Sequence, residues 1–163
     1  MPPLRTIGVY GFDRESFLAA LTGAEVELLL DVRQRRGVRG SEYAWANAQR
    51  LQAALAESRI GYSHLKELAP TTEMRQLQYR EDERKGEGKR SRTTLAPAYV
   101  EQYTAEVLDQ VDLGPVVSWI GNSRAALLCV ERDPEACHRS LVAERLQREH
   151  GFAVEHLLPQ EAR

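Results

Sequence analysis

Residues 125–140 read AALLCVERDPEACHRS, and they decide the fold class of this chain. The apolar run 125–130 predicts a short buried strand, which ends where charged residues begin. Asp133 and Pro134 then favour a helix start, because Asp accepts hydrogen bonds from the free N–H groups of a first turn and Pro fits the first helical position. Apolar residues continue at helical spacing after residue 140. This stretch therefore predicts a strand, a short turn and a helix.

Further strands are predicted on both sides of this unit, and the strongest is the run VELLLDV at residues 26–32. Its continuous aliphatic centre is typical of a strand buried on both faces, as in a parallel sheet. The other strand-like segments are residues 6–10, 60–65 and 151–157. Helical patterns lie between them, at residues 13–23, 41–58 and 97–111. The alternation predicts a single three-layer α/β domain over residues 1–163, with a mainly parallel central sheet flanked by helices.

A charged segment at residues 80–94 interrupts this alternation. A helix is predicted over residues 72–79, and the run that follows, REDERKGEGKRSR, has almost no apolar residue. Such composition indicates an exposed loop inserted in the domain rather than a linker between two domains. Residues 116–120 are apolar and fit a helix end, a strand or a hairpin.

Composition and charge exclude several classes of protein. Hydrophobic residues make up 42% and charged residues 28% of the 163 residues, which is ordinary for a soluble globular protein and argues against global disorder. The net charge of -2 means that any anion site must come from a local cluster of cations. No apolar run approaches the roughly 20 residues that a membrane helix needs, so no membrane partner is expected. With two cysteines and no signal-peptide core, the chain is expected to be cytoplasmic, with reduced thiols.

Two loops are predicted to share one edge of the sheet. Residues 33–40 follow the strand at 26–32, and residues 131–140 follow the strand at 125–130. The carboxyl ends of parallel strands meet at the same edge, where ligands bind in open α/β sheets. The sequence therefore predicts one site made from two distant stretches.

The second of these loops contains Cys137, His138 and Arg139 in succession. Cys137 fits a nucleophile or redox thiol near a helix N-terminus, and it equally fits a small residue packed under the turn. His138 fits a general base or a ring bonded to a backbone carbonyl. Arg139 fits a grip on an anion or a structural brace to Glu135 or to Glu131, a carboxylate at the end of the strand. Cys129 lies within the apolar strand and is predicted to be a core residue.

The first loop begins with Asp31 and Arg33 and adds Arg35, Arg36 and Arg39. Asp31 and Arg33 fit either a structural ion pair or a functional pair at the edge of the sheet. Four guanidinium groups in one loop favour an anion-binding site, although surface arginines paired to nearby carboxylates are common.

Several site signatures are missing from the sequence. Cys129, Cys137 and His138 lack the paired short spacings of zinc sites, so no metal is predicted. The loop of phosphatases and rhodaneses needs an Arg six residues after the Cys, and Ala143 stands at that position after Cys137. No phosphate-binding or dinucleotide-binding glycine motif is present, and no cofactor is predicted.

These features together resemble the DUF488 family, a group of small proteins of unknown function. The resemblance rests on five segments in order along the chain: TIGVY at 6–10, DVR at 31–33, IGYSHL at 60–65 with Glu67-Leu68 after it, LLCVE at 127–131, and CHRS at 137–140. The chain departs from the family pattern in two places. Residues 34–37 read QRRG instead of a Pro-x-Ser-like segment, and Ala69-Pro70 stands where a pair of glycines is common. The resemblance implies a compact α/β fold in a bacterial or archaeal cytoplasm, and it implies no activity.

Three functional hypotheses follow. The first is a cleft that binds a phosphate-bearing or other anionic molecule through Asp31, Arg33, Glu131 and Arg139, with any chemistry carried out by Cys137 or His138. The second is a nucleic-acid binding module in which residues 33–39 and 84–92 form one basic face. The third is a redox protein in which Cys129 and Cys137 form a reversible disulfide bridge.

Overall fold

Five parallel strands form one sheet in the computed structural model, which describes residues 1–160. The strands are β1 (Leu4–Ile7), β2 (Leu28–Asp31), β3 (Gly61–His64), β4 (Ala125–Leu128) and β5 (Val154–Leu157). Their spatial order is β3-β2-β4-β1-β5, and every neighbouring pair is parallel. The predicted α/β domain with a parallel sheet is confirmed.

β4 is the central strand of the sheet, and β2 is one of its two neighbours. β4 consists of AALL and is buried along its whole length, and the last three residues of β2 are buried as well. In the register of this pair, Leu30 lies opposite Leu127 and Asp31 lies opposite Leu128. The most apolar strands therefore lie at the centre, and their carboxyl ends finish side by side.

Six α-helices connect and cover the strands. They are α1 (Arg14–Gly23), α2 (Ala48–Glu57), α3 (Thr72–Arg84), α4 (Pro97–Tyr103), α5 (Gly114–Ile120) and α6 (His138–His150). Short 3-10 turns cover Ser41–Ala46, Lys66–Leu68 and Pro134–Ala136, and a π-helical turn over Thr104–Leu108 extends α4. Within residues 1–160, no helix has both the length and the apolar character needed to cross a membrane.

Helix starts follow the capping rules in one case and depart from them in another. Asp13 caps α1: its Oδ1 accepts from Ser16 N at 2.7 Å, and Ser16 Oγ accepts from Asp13 N at 3.0 Å. Asp133 and Pro134 instead open only the 3-10 turn, and Asp133 makes no side-chain cap bond there. The long helix α6 begins at His138, so Cys137 occupies the position just before its first turn.

Two other predicted segments differ from the structure. The helix predicted over 41–58 is divided at Asn47, whose backbone is extended and whose Oδ1 accepts from Val38 N at 2.8 Å. Residues 116–120, which fitted three structures equally well, belong to α5.

The segment predicted as an exposed loop at residues 80–94 contains buried charges. Helix α3 continues five residues beyond the predicted end at Tyr79, as far as Arg84, and Asp82 is 3% exposed. Arg92 is 7% exposed and forms ion pairs with Asp82 and Glu131. These partners compensate for the burial of the charges, which is why a segment of this composition packs onto the domain.

Candidate functional site

A cavity of about 660 Å³ opens at the carboxyl ends of β2 and β4. The residues after these strands line it, together with parts of α3 and the segment that follows it. The lining includes seven cationic side chains and one carboxylate, that of Glu131. The cations are Arg33, Arg35, Arg39, Arg75, Lys89, Arg90 and Arg92. The predicted meeting of the two loops at one edge of the sheet is thus observed.

Asp31 and Arg33 form a fully buried ion pair beneath this cavity. Arg33 Nε donates to Asp31 Oδ1 at 2.9 Å and Arg33 Nη2 donates to Asp31 Oδ2 at 2.8 Å. Arg33 Nη1 donates to Ala46 O at 2.9 Å, and the Tyr62 hydroxyl donates to Asp31 Oδ2 at 2.6 Å. The side chains are 1% and 0% exposed for Arg33 and Asp31 respectively. This pair therefore fixes the start of the loop at 33–40, and the charge of Arg33 is already balanced.

Arg139 lies deeper in the molecule and does not line the cavity. Its Nη1 donates to Glu131 O at 2.6 Å, its Nη2 donates to Arg132 O at 3.2 Å, and its Nε donates to Thr6 Oγ1 at 3.3 Å. Arg139 thus holds the backbone carbonyls that follow β4, and it does not pair with the carboxylate of Glu131. The close approach also requires Gly8, because a methyl group there would collide with the carbonyl of Glu131.

The carboxylate of Glu131 pairs with Arg92, a residue that was predicted to lie in the exposed loop at residues 80–94. Arg92 Nη2 lies 2.7 Å from Glu131 Oε1, Arg92 Nη1 lies 2.7 Å from Asp82 Oδ2, and Arg92 Nε donates to Ala136 O at 3.1 Å. Burial raises the pKa of Glu131, and the nearby charge of Cys137 raises it further. The positive charges of Lys89 and Arg92 offset only part of this rise. No sequence signal singles out Arg92, since it is one cation in a charged run.

Cys129, Cys137 and His138 form a buried cluster at the inner end of the cavity. His138 Nε2 lies 2.7 Å from Val32 O, which can only accept, so this nitrogen carries a proton. His138 Nδ1 faces the thiols, 3.6 Å from Cys129 Sγ and 3.9 Å from Cys137 Sγ. His138 thus makes the backbone bond and also contacts both thiols. Cys129, predicted to be a core residue, is buried but belongs to this cluster.

The two thiols of the cluster differ in acidity. The pKa of Cys137 lies well below its usual range: burial opposes this shift, and the hydrogen bond from Cys129 and the charge on His138 outweigh it. Burial and the adjacent Cys137 raise the pKa of Cys129 well above its usual range. The pKa of His138 is raised despite its burial, because of the charge and hydrogen bond of Cys137. Cys137 is therefore the more acidic of the two thiols, and its surroundings favour the charged form of His138.

The mouth of the cavity has the free positive charge. Within residues 1–160, Arg35, Arg39 and Lys89 have no carboxylate within 4.0 Å, and Arg35 and Arg39 are exposed. Arg90, in the segment after α3, contacts the loop that follows β2, because it donates to Arg39 O at 3.0 Å. Arg90 pairs with Glu42 at 3.1 Å as well. It also lies over the ring of Tyr10, with Cζ 5.1 Å from the centroid.

Comparison with known proteins gives a family and no activity. No curated protein and no solved structure matches the chain. Residues 13–146 match the family described as "Domain of unknown function DUF488", and this match covers both loops of the site and the cluster of Cys129, Cys137 and His138. The chain therefore belongs to the DUF488 family.

Proposed function

We propose that this protein binds a small phosphate-bearing or otherwise anionic molecule in the cavity at the carboxyl ends of β2 and β4. The observation that supports this function best is the imbalance of charge in the lining: it has one carboxylate, and four of its seven cations have no ion-pair partner among residues 1–160. That carboxylate, Glu131, is itself paired with Arg92. A cavity with excess positive charge and partly apolar walls attracts and retains an anion.

The ligand would be held by the cations whose charge is free. Arg35, Arg39 and Lys89 line the cavity. Among the described residues, Arg75 donates only to neutral groups, to Gln34 Oε1 at 2.9 Å and to the Tyr79 hydroxyl at 2.9 Å. The residues first expected to bind the ligand have supporting roles in this proposal. Their polar groups already have partners inside the protein, and these residues are Asp31, Arg33, Glu131 and Arg139.

Any chemistry on the bound molecule would take place at the inner end of the cavity. Cys137 is the nucleophile of this proposal, since its lowered pKa favours the thiolate. His138 is its partner, because Nδ1 faces the thiol and Nε2 is anchored on Val32 O. The cations of the lining would stabilise negative charge that develops on the ligand.

Calorimetric titration with inorganic pyrophosphate and with ATP tests the proposal. We expect saturable binding to the wild-type protein and an affinity about tenfold lower, or about 1.4 kcal/mol, in Arg39→Gln and in Lys89→Gln. Arg148→Gln is the matched control, because Arg148 is an exposed cation near the far end of α6 from the cavity. Absence of binding by the wild-type protein, or an equal loss in Arg148→Gln, would overturn the proposal.

Nucleic-acid binding is a second candidate, and the position of Arg90 favours it. Arg90 brings the basic stretches 33–39 and 84–92 together at the mouth, through its bond to Arg39 O. Two cations of the stretch 84–92 are not available to a nucleic acid, since Arg84 pairs with Glu81 and Arg92 is buried. The test is fluorescence anisotropy with a labelled single-stranded oligonucleotide at increasing salt. Affinity that falls steeply with salt supports this candidate, and absent or salt-independent binding rejects it.

We also propose a cytoplasmic setting in a bacterium or archaeon for this protein. Cys129 and Cys137 are both free thiols, and the thiolate of Cys137 requires a reduced state. Reducing compartments maintain that state. Fractionation of cells that produce the tagged protein checks the setting, and recovery from an oxidising compartment would contradict it.

A further inference from the structure

We infer that Cys129, Cys137 and His138 form a binding site for a thiophilic divalent metal ion, of which Zn²⁺ is the best fit. The ligand atoms of these three residues all lie within 4.8 Å of one another. Cys129 follows β4, and Cys137 and His138 stand at the start of α6. The sequence spacing gave no sign of a metal site, because the fold rather than a short motif brings the ligands together.

The distances within the cluster fit zinc. With bonds of about 2.3 Å to sulfur and about 2.05 Å to nitrogen, a tetrahedral Zn²⁺ places its sulfur and nitrogen ligands roughly 3.6 Å apart. The distances from His138 Nδ1 are 3.6 Å to Cys129 Sγ and 3.9 Å to Cys137 Sγ. An ion can therefore enter with small movements of these side chains.

The orientation of His138 fits a metal ligand. A metal-binding His usually donates its other ring N–H to a backbone carbonyl or a carboxylate, which fixes the tautomer and the direction of the free lone pair. His138 Nε2 makes this bond to Val32 O at 2.7 Å. Nδ1 is thereby directed at the two sulfur atoms, and the ring of Tyr103 supports it with a centroid separation of 5.4 Å.

Charge and ligand type favour zinc over hard cations. Two thiolates neutralise one divalent ion, so a loaded site adds no net charge to a fully buried region. Thiolate and imidazole ligands select Zn²⁺ and related soft ions, whereas Mg²⁺ and Ca²⁺ prefer oxygen ligands. Arg92 remains paired with Glu131, so this carboxylate is balanced independently of the metal.

The fourth coordination position would face the cavity. Cys129, Cys137 and His138 all line it, and the carboxylate of Glu131, although 3.6 Å from Cys129 Sγ, lies outside the group of three. Three protein ligands with one open position are typical of zinc sites that bind water or substrate. In the metal-loaded protein Cys137 is a ligand rather than a free nucleophile, so metal content decides which of these two chemistries the protein has.

Cobalt substitution tests the inference directly. The reduced, chelator-treated protein is titrated with Co²⁺, followed by Zn²⁺. We expect one Co²⁺ per chain, with sulfur-to-cobalt charge-transfer bands and the intense visible bands of a tetrahedral site, all removed by Zn²⁺. Cys129→Ala and His138→Gln should each weaken Co²⁺ binding at least tenfold. His150→Gln, at the exposed end of α6, is the control and should bind as the wild-type protein does.

Two further measurements distinguish loss of the metal site from misfolding of a variant and from loss of the anion site. Zn²⁺ should slow alkylation of both cysteines in the folded wild-type protein, so the result does not depend on the variants being folded. Arg39→Gln should bind Co²⁺ normally while losing affinity for pyrophosphate, which separates the metal site from the anion site. Absence of the charge-transfer bands in the reduced wild-type protein, unprotected cysteines, or bands that persist in Cys129→Ala and His138→Gln would overturn the inference.

Discussion

At the scale of single residues, the partners of a side chain separate the groups that support the site from those that can react. Arg33 and Arg139 are both fully buried, and each makes three contacts or more with groups of the protein itself. Cys137 is equally buried and lines the cavity, but its thiol faces only the other members of its cluster, such as His138 Nδ1. The sequence placed all of these residues at one edge of the sheet, and it could not show which of them were already paired.

The pH dependence of alkylation distinguishes the two thiols of the metal-free protein. Because the pKa of Cys137 is lowered, its thiolate persists below the ordinary range of a thiol, and its reaction with iodoacetamide should slow only at a lower pH than that of an ordinary thiol. The pKa of Cys129 is raised, so Cys129 should react only in alkaline solution and serves as the internal control. Peptide mass spectrometry after timed labelling measures both rates. Equal rates that rise together with pH would contradict the assignment.

At the scale of secondary-structure elements, α3 and the segment after it are bound to the sheet by buried charge. The sequence predicted β2, β4 and α6 because continuous apolar runs and helical spacing are local signals. It did not predict that α3 reaches Arg84 or that Arg92 pairs with Glu131, because that contact joins residues 39 apart and has no local pattern. The pattern of charges along such a run is the same whether its side chains face water or form buried ion pairs.

Removal of Arg92 should destabilise the whole domain. Arg92→Ala leaves Asp82 and Glu131 buried without their cation, and breaking a buried pair in this way costs about 3–5 kcal/mol. Arg84→Ala removes a cation of the same run whose partner, Glu81, lies at the surface, so it should leave the unfolding midpoint unchanged. Urea unfolding followed by circular dichroism compares the two variants. Equal midpoints would show that the Arg92 pairs contribute nothing to stability.

At the scale of the whole molecule, the strand order makes the site. β2 and β4 are neighbours although α2, β3, α3, α4 and α5 come between them in the chain. A parallel arrangement places their carboxyl ends together, which is why the meeting of the two loops was predictable without knowledge of the strand order. The contribution of residues 84–92 to the same cavity was not predictable, since no strand fixes their position.

Ligand binding should stabilise the folded protein as a unit. A ligand at 100 times its Kd that binds only the native state adds about 2.7 kcal/mol, which corresponds to a rise in Tm of roughly 5–10 °C for a domain of this size. Saturating pyrophosphate should produce this rise in the wild-type protein in differential scanning calorimetry. Arg39→Gln should show a smaller rise at the same concentration, and an unchanged Tm in the wild-type protein would contradict binding in the cavity.

The hydrogen bond between Val32 and His138 has a consequence for the order of events during folding. Its two residues are 106 positions apart, and they come together where β2 and β4 lie side by side in the sheet. Closure of so long a loop is slow and entropically costly, and contacts of this kind appear late in folding. Cys129, Cys137 and His138 are close in sequence, but the carbonyl that fixes the imidazole is not. We therefore expect His138 Nδ1 to be held toward the thiols only late in folding, so a partly folded copy would lack this arrangement.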